Sequence, residues 1–342
     1  MTWPDVLAAL LSPRDLTPDE VAWAMREVMT GEATAVQVAG FVVALRAKGE
    51  TPEEVAGLAS VMLDLAAPLV VPPGLRAIDT CGTGGDRANT VNISTMAALV
   101  LAGAGATVVK HGGRSASSQT GSADVLEELG VVIDLPPAGV AACLDTGAPA
   151  FCFAPVFHAS MRHAAVPRRE LGVPTVFNVL GPLTNPGRPA AQVVGVPDAR
   201  LAAVMAGVLA RRGTDALVVR GDDGLDELTT RTTSRAWWVR DGTVTEETVD
   251  PVGLGLAAGD LGGGDSGYNA DVVRALVAGE RGPVRDAVLL NAAAGLVAYE
   301  PGEGDLRDQL AHQLVRAAAA VDDGSASTAL DRWVSASRAA AG

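Results

Sequence analysis

From residue 77 onward the sequence alternates short β-branched runs with helical stretches, and this alternation constrains the fold more than any other feature. The predicted strands are 77–79, 106–109, 131–133, 192–196 and 216–219, and the predicted helices between them are 91–102, 123–129 and 199–210. Because parallel strands joined by helices require right-handed crossovers, we predict an α/β fold with a mainly parallel central sheet flanked by helices.

Two further segments belong to this pattern. Residues 237–244 place Asp241-Gly242 between two runs of strand-forming residues, which predicts a hairpin. From Pro283 onward the chain is rich in alanine and helical in its spacing. We therefore predict one hairpin and a helical C-terminal region.

The first ~67 residues differ from the rest, because three threonines each precede a predicted helix. Thr17, Thr34 and Thr51 are each followed three residues later by Glu or Gln, which is the capping-box spacing. Gly31 and Gly49 stand where two of these helices are expected to end. This segment is predicted to be a small all-helical N-terminal domain.

A stretch rich in proline, 68–74, interrupts the helical pattern and is typical of a linker. It separates the helical domain, predicted at 1–67, from a larger α/β domain predicted at 74–342. We see no internal repeat of fixed period in either part.

Composition excludes several classes of protein. The chain carries 26 Lys and Arg against 40 Asp and Glu, a formal charge of −14, so no nucleic-acid partner is expected. No membrane association is expected either, since no stretch approaches the ~20 apolar residues of a spanning helix. The first residues lack the pattern of a secretory signal. Cys81, Cys143 and Cys152 cannot all pair and form no CxxC, which indicates reduced thiols in a cytoplasmic protein.

The first candidate site is the glycine-rich loop after the strand at 77–79. Residues 79–86 read Asp-Thr-Cys-Gly-Thr-Gly-Gly-Asp, which matches neither a Walker A loop nor the dinucleotide fingerprint. Three glycines in four positions let backbone N–H groups approach an anion closely. Residues 89–95 then open a helix with Asn, Ser and Thr side chains, which suits a phosphate or pyrophosphate group. A tight turn with a polar cap is the alternative.

A second candidate loop, 110–118, follows the strand at 106–109. Lys110 and Arg114 supply positive charge, while glycines and serines supply backbone and hydroxyl donors. Ligands of parallel sheets bind beyond the carboxyl ends of the strands, so this loop should converge with the glycine-rich loop. An ordinary solvated loop is the alternative interpretation.

Adjacent carboxylates at Asp226 and Glu227 follow the strand at 216–219. Such a pair suits Mg²⁺, which binds through one or two carboxylates together with substrate phosphates. An acidic turn is the alternative, and it is the simpler interpretation of Asp222 and Asp223. The metal role requires phosphates bound by the other two loops.

A fourth candidate region covers 153–168 and 177–186. Arg168 has the paired N–H donors that clamp a carboxylate. His111 and His158 fall within motifs, whereas His163 and His312 are typical of surface or packing positions. The sequence contains no base–nucleophile pair of a hydrolase and no Cys/His zinc spacing.

Together these segments resemble the anthranilate phosphoribosyltransferase family, which has the nucleoside-phosphorylase-like transferase fold. The resemblance covers nearly the whole chain in order and spacing. It is carried by 82–86, 92–95, 110–112, 121–126, 177–186 and 226–229. It implies transfer of the phosphoribosyl group of phosphoribosyl pyrophosphate (PRPP) to the amine of anthranilate, a step of tryptophan biosynthesis.

The resemblance also implies roles for individual residues. PRPP would be bound by Gly82, Gly85, Asp86, Thr90, Asn92, Ile93, Ser94, Thr95, Lys110, His111, Gly112, Gly113, Arg114, Ser115, Ala116, Ser117, Ser118 and Ser122. Anthranilate would be bound by Gly82, Gly113, His158, Arg168 and Gly181. Mg²⁺, as two ions per site, would be held by Ser94, Asp226 and Glu227. The catalytic residues would be Lys110 and Arg168.

The resemblance further implies a homodimer formed through the helical domain, with a helical contribution from about 158–190. The active site would lie between this domain and the α/β domain.

The chain departs from the family pattern at two positions. Gly113 stands where the family has an Asn whose side chain reaches the acceptor, and Ala159 stands where proline is common. Gly113 leaves the donor motifs intact and raises the alternative of a different substituted benzoate as acceptor. A nucleoside phosphorylase of the same fold is a second alternative, although pyrimidine phosphorylases lack a metal pair like Asp226-Glu227. A catalytically inactive nucleic-acid-binding relative is a third, which the charge of −14 disfavours.

Overall fold

The computed structural model describes residues 1–114 and 119–342. Four of the expected donor-site residues, Ser115, Ala116, Ser117 and Ser118, lie outside the described residues. The described chain begins with helices α1 (Trp3–Leu11), α2 (Pro18–Thr30), α3 (Ala35–Lys48) and α4 (Pro52–Asp64).

The predicted capping boxes begin three of these helices. The hydroxyls of Thr17, Thr34 and Thr51 accept the backbone N–H three residues later. Glycines end α2 and α3, at Gly31 with φ 82° and at Gly49 with φ 93°. The sequence did not predict α1.

A sheet follows, with helices before, between and after its strands. The strands are β1 (Ala77–Gly82), β2 (Thr107–Gly112), β3 (Ala150–Phe153), β4 (Ala191–Gly195), β5 (Asp215–Gly221), β6 (Ser234–Arg240) and β7 (Thr243–Val249). The remaining helices are α5 (Ile93–Gly103), α6 (Ser122–Glu128), α7 (Pro137–Asp145), α8 (Ala154–Phe157), α9 (Arg162–Leu171), α10 (Phe177–Leu180), α11 (Ala199–Arg212), α12 (Ser266–Val277), α13 (Pro283–Tyr299), α14 (Leu306–Asp322) and α15 (Ser325–Ala341).

The strand order across the sheet is β3-β2-β1-β4-β5-β6-β7. Strands β1 to β5 pair in parallel, whereas β6 runs antiparallel to both β5 and β7. The β6–β7 turn at Asp241 and Gly242 has φ 50° and 72°, both left-handed, as a two-residue hairpin of type I′ requires. The predicted mainly parallel α/β sheet and its hairpin are confirmed. None of the described helices is long and apolar enough to cross a membrane.

One predicted strand, 131–133, is wrong. Val131 and Ile133 are buried in the main core, but the segment has no partner strand among the described residues. The backbone N–H of Val132 instead donates to the Ser337 hydroxyl of α15 at 3.0 Å. Alternating burial here comes from packing against helices rather than from a sheet. The edge strand of the parallel region, β3, was not predicted.

Apolar side chains cover both faces of the sheet. One core contains residues of the four N-terminal helices together with α10, α11 and one face of β4 and β5. The other core packs α5, α13, α14 and α15 on the opposite face. Ion pairs also join the N-terminal helices to α11, including Arg46–Asp198 at 2.7 Å and Arg211–Glu53 at 2.8 Å. The N-terminal helices are therefore continuous with the packing of the sheet.

Glu54 connects several parts of the helical unit. Its buried carboxylate accepts the N–H of Thr51, which closes the α4 capping box, and the N–H of Leu16 in the loop before α2. The Lys48 ammonium lies 2.8 Å from the same carboxylate. Glu20 closes the equivalent box on α2, but it pairs with the exposed Arg14.

We expect Glu54→Ala to lower the free energy of unfolding by about 3 kcal/mol, because it removes one partner of a buried ion pair and leaves two loop donors unpaired. Glu20→Ala removes the matching cap at a more exposed position and should cost about 1 kcal/mol. Urea denaturation followed by circular dichroism measures both. Equal losses would show that the buried contacts of Glu54 add nothing to its capping role.

Candidate functional site

The glycine-rich loop leaves the carboxyl end of β1 and lies against the loop that carries Asp226. Gly82 of β1 is in register with Gly195 of β4. A Cβ atom on Gly82 would overlap the Asp226 carboxylate, and one on Gly195 would overlap the Asp226 backbone. Two neighbouring strand ends therefore need glycine for Asp226 to cross them. Gly195 was not predicted as a site residue, although a lone glycine after a valine-rich strand was the available signal.

The glycine-rich loop also lies beside the carboxylate pair, as the expected metal role requires. The backbone N–H of Gly84 donates to Asp226 Oδ2 at 2.7 Å. Gly84 and Gly85 have φ 67° and 91°, the left-handed region in which glycine is least strained.

Too little positive charge lies near the carboxylates of this site to balance them. Burial, and then the nearby Asp86 carboxylate, raise the pKa of Asp226 to about 7. Burial, followed by repulsion from Asp226 and Asp86, raises the pKa of Glu227 well above its usual range. Glu227 Oε2 is buried with no hydrogen-bond partner in the described residues. A bound cation would supply the missing charge.

Mg²⁺ fits this arrangement better than a metal that needs a complete protein cage. Within 1–114 and 119–342, no group of three or more His, Cys, Asp or Glu side chains is arranged to hold a metal by itself. Mg²⁺ commonly takes only one or two carboxylates and completes its shell with water and phosphate oxygens. Of the predicted ligands, Asp226 and Glu227 lie together, and the Ser94 backbone N–H favours the charged form of Glu227.

Lys110 is buried between β1 and the start of α5. Its ammonium donates to the Thr80 carbonyl at 2.5 Å and to the Ser94 hydroxyl at 3.3 Å. Burial lowers the pKa of Lys110, and the charge of Asp79 opposes that shift. Lys110 thus brings positive charge towards Glu227 from within the protein.

Asp79 is the buried counter-charge of Lys110. Its carboxylate accepts the side-chain N–H of Asn185 at 2.9 Å and the backbone N–H of His111 at 3.2 Å. Burial raises the pKa of Asp79 in spite of Lys110 and these donors. Through Asn185, which also donates to the Val109 carbonyl at 2.7 Å, the motif around 177–186 supports Asp79 and the strand that leads into the second loop.

Arg114 is held away from the carboxylate pair in this structure. Its exposed guanidinium forms ion pairs with Asp124 at 2.5 Å and with Glu127 at 3.0 Å, both on α6. The Ser122 hydroxyl, also at the start of α6, donates to the Gly113 carbonyl at 3.4 Å. A Cβ atom on Gly112 would overlap that hydroxyl, which explains glycine at this position.

A ring of hydrogen bonds joins the start of α5 to the start of α12. Asn92 donates to the Thr120 carbonyl at 3.2 Å and accepts from Asn269 at 2.8 Å. Asn269 in turn accepts the N–H of Gly264, and the Thr120 hydroxyl donates to the Gly264 carbonyl. Asn269 and Gly264 were not predicted, because neither lies in a motif with a chemical signature.

The remaining expected PRPP residues at this helix start are backbone neighbours of the ring. Ile93 and Thr95 are buried in the first turn of α5, and Thr90 pairs across a single bridge with Gly262. The backbone N–H groups of Ile93 and Thr95 already donate to the Val91 and Asn92 carbonyls, at 2.8 and 3.1 Å.

His111 and His158 support the segment after α10. The His111 Nδ1 atom lies 2.9 Å from the Gly181 carbonyl, and the His158 Nε2 atom lies 2.8 Å from the Thr184 carbonyl. Their rings meet edge to face at 5.1 Å between centroids. Burial, with a smaller effect of His158, lowers the pKa of His111 to about 3, so this ring is neutral near pH 7.

Arg168 is half-buried on α9, with its guanidinium 5.6 Å from the centre of the Phe177 ring. Burial lowers its pKa. In the part of the chain that the structure describes, no carboxylate forms an ion pair with it. A cation beside an aromatic face can pair with a carboxylate and stack on an aromatic ring, which is the chemistry of an aromatic acid.

Family comparisons agree with this geometry. The helical-bundle domain of a glycosyl transferase family matches residues 4–66, and the a/b domain of a glycosyl transferase family matches residues 74–327. The anthranilate phosphoribosyltransferase of Acidothermus cellulolyticus is 62% identical over 345 residues, which span 100% of this chain and 97% of that protein. The protein of the same name from Nocardioides sp. is 60% identical, over 98% of each chain.

Solved structures give the same result. The crystal structure of anthranilate phosphoribosyltransferase from Thermus thermophilus has a TM-score of 0.90 and 41% identity, over 98% of this chain and 99% of that one. The Saccharomyces cerevisiae enzyme in complex with PRPP and Mg has a TM-score of 0.89 and 25% identity, over 98% of both chains. Matches of this length and identity mean that the chain belongs to the anthranilate phosphoribosyltransferase family.

Proposed function

We propose that this chain transfers the 5-phosphoribosyl group of PRPP to the amine of anthranilate, giving N-(5-phosphoribosyl)anthranilate and pyrophosphate in tryptophan biosynthesis. The observation that carries the proposal is the buried, undercompensated pair Asp226–Glu227, with Asp226 held against the Gly84 amide. Keeping these carboxylates buried is electrostatically unfavourable, so the site suits a substrate that arrives with a metal ion. PRPP is such a substrate, and a relative's structure contains both PRPP and Mg.

The donor is expected to bind with its pyrophosphate over the glycine-rich loop and the start of α5. Glycine-rich loops and helix starts suit an anion because backbone N–H groups can approach it closely. Asp226, Glu227 and Ser94 would hold Mg²⁺, which when bound neutralises charge on the pyrophosphate. Lys110 adds a buried positive charge towards the same group.

The reaction breaks the C1–O bond of PRPP, and the bonding electrons leave with the pyrophosphate. The lone pair of the anthranilate nitrogen forms the new C1–N bond, and that nitrogen then releases one proton to solvent. An arylamine is unprotonated near pH 7, so the reaction needs no strong general base. We therefore assign catalysis to stabilisation of the leaving group and to alignment of the reactants.

The acceptor is expected beside Arg168, whose guanidinium would pair with the anthranilate carboxylate. Among the described residues, a Cβ on Gly113 would meet only Ala154, at 3.9 Å, and one on Gly181 would meet nothing within 4 Å. The alternative of another benzoate acceptor is not supported, because the full-length relatives carry the anthranilate name.

We also propose a cytoplasmic homodimer that binds two Mg²⁺ ions per site, divided into domains at 1–67 and 74–342. Exposed apolar side chains on the helical unit support the dimer contact, notably Leu11 at 76% and Val36 at 81% exposure. Three free cysteines among the described residues support a reducing compartment. A third carboxylate, Asp86, beside the pair supports a second ion. Sedimentation and metal stoichiometry test the dimer and the ion count.

The double variant Asp226→Asn, Glu227→Gln should lose turnover by at least about a thousandfold, since both proposed metal ligands are gone. The metal-free variant should also unfold at a higher temperature than metal-free wild type at about pH 8, because ionising the buried Asp226 costs stability there. This difference should shrink as pH falls below the pKa of Asp226, about 7, where the wild-type group binds a proton. Pyrophosphate release and differential scanning fluorimetry measure the two effects. Full PRPP-dependent turnover in the variant would remove the metal assignment.

Arg168→Met should raise the KM for anthranilate by about 10- to 100-fold and leave the KM for PRPP nearly unchanged, because a charged hydrogen bond to the acceptor is lost. Arg169→Met, on the exposed neighbouring position of the same helix, is the matched control. Steady-state kinetics with each substrate varied in turn would contradict the assignment if both variants behaved alike.

Gly113→Asn should lower the KM for anthranilate by about threefold, because a threefold change corresponds to a weak net hydrogen bond. The kinetics with respect to PRPP should not change. Among the described residues, the Cβ of this asparagine would have Ala154 as its only neighbour within 4 Å, at 3.9 Å. A panel of substituted benzoates assayed with PRPP and Mg²⁺ checks the expectation. Unchanged anthranilate kinetics would show that the glycine is neutral.

A further inference from the structure

A single polar side chain interrupts the most deeply buried helix of the protein. Every residue of α13 from 287 to 298 is buried, and Asn291 is the one polar side chain among them. This helix packs against β4, β5 and α5. Burying an amide in such a place is costly unless all of its hydrogen bonds are made. The position of Asn291 therefore depends on what it contacts.

Asn291 contacts the peptide that directly follows Glu227. Its side-chain oxygen accepts the backbone N–H of Leu228 at 3.0 Å, and its side-chain nitrogen donates to the Leu228 carbonyl at 2.9 Å. The second hydrogen of that nitrogen goes to the Ala287 carbonyl of α13, also at 2.9 Å. One amide thus holds both polar groups of one residue, which fixes the location and the orientation of that segment.

Backbone N–H groups hold the two carboxylates directly. Asp226 accepts the Gly84 amide and Glu227 accepts the Ser94 amide, while Glu227 Oε2 has no hydrogen bond in the described residues. Further along the loop, Thr229 bonds through its backbone to Ser234 and through its hydroxyl to Asp223. Asn291 therefore supplies the side-chain contact nearest to Glu227 along the loop.

We propose that Asn291 is a positioning residue for the metal pair: it clamps the Leu228 backbone so that Asp226 and Glu227 stay directed at the cation, although Lys110 offsets only part of their charge. The proposal rests on the proposed function, because it requires that this pair binds Mg²⁺. A neutral amide suits the task, since it satisfies a donor and an acceptor together. A carboxylate at 291 would add another negative charge to the cluster, and an apolar side chain would leave the Leu228 groups unpaired.

The test compares Asn291→Ala with Gln309→Ala. Gln309 is a matched control because it is also a buried helical amide that clamps a loop, accepting from Gly302 and donating to the Gly304 carbonyl. That loop follows α13 and lies outside the proposed site. Mn²⁺ replaces Mg²⁺ as the probe, and its binding is measured by electron paramagnetic resonance in the presence of PRPP and without anthranilate.

We expect Asn291→Ala to weaken Mn²⁺ binding by about tenfold or more, the usual effect of losing a group that orients metal ligands. The KM for anthranilate at saturating Mg²⁺ should change by less than about twofold, and Gln309→Ala should leave Mn²⁺ binding within the same limit. Wild-type Mn²⁺ affinity in Asn291→Ala, or equal weakening in both variants, would overturn the proposal.

Three further outcomes keep the tests separate. If wild-type protein binds Mn²⁺ only weakly and turns over without divalent metal, the metal assignment fails and the role of Asn291 fails with it. If wild-type protein binds Mn²⁺ at the pair but does not turn over anthranilate and PRPP, the proposed function fails, and the comparison of Mn²⁺ affinities still decides the role of Asn291. If Asn291→Ala does not fold, Asn291→Ser replaces it, because a serine hydroxyl can bond within the helix to the Ala287 carbonyl while losing Leu228. The same loss of at least about tenfold in Mn²⁺ affinity is then expected, and its absence counts against the proposal.

Discussion

The site depends on the electrostatic cost of keeping two adjacent carboxylates in the protein interior. Asp226 and Glu227 repel each other and Asp86, and only the buried Lys110 offsets part of that charge among the described residues. Burying carboxylates is unfavourable by itself, so the surrounding fold has to supply the stability. It does so with a helical layer on each face of the sheet. The site therefore carries a built-in deficit of positive charge.

The fold places this deficit of positive charge at the edge of the sheet where the loops meet. Parallel strands end at one edge, so the loops after β1, β2 and β5 meet although they are far apart in sequence. Side-chain volume limits how closely loops can approach each other at that edge. Gly82 and Gly195 have no side chain, so the Asp226 loop can cross there. The supporting contacts come from behind the edge, through Asn185 to Asp79 and through Asn291 to Leu228.

Sequence patterns predicted the parts of this molecule in which local rules and tertiary packing agree. The capping boxes, the parallel strands and the β6–β7 turn are such cases. The pattern at 131–133 misled because period-two burial also arises beside a helix, where Ser337 takes the backbone hydrogen bond. Asn269 and Asn291 were invisible for another reason: an isolated asparagine in a helical stretch has no spacing that reveals which distant backbone it bonds.

The buried histidines have a consequence for how the protein responds to acid. His111 stays neutral until about pH 3, because the interior disfavours its charged form. The carbonyl groups of Gly181 and Thr184 that these rings hold should then keep their positions across the range that cells experience. Mild acidification would instead affect the enzyme at Asp226 and Glu227, where protons would compete with the proposed cation. The groups that respond to mild acid are therefore the carboxylates, whereas the groups that hold the nearby backbone in place are the histidines.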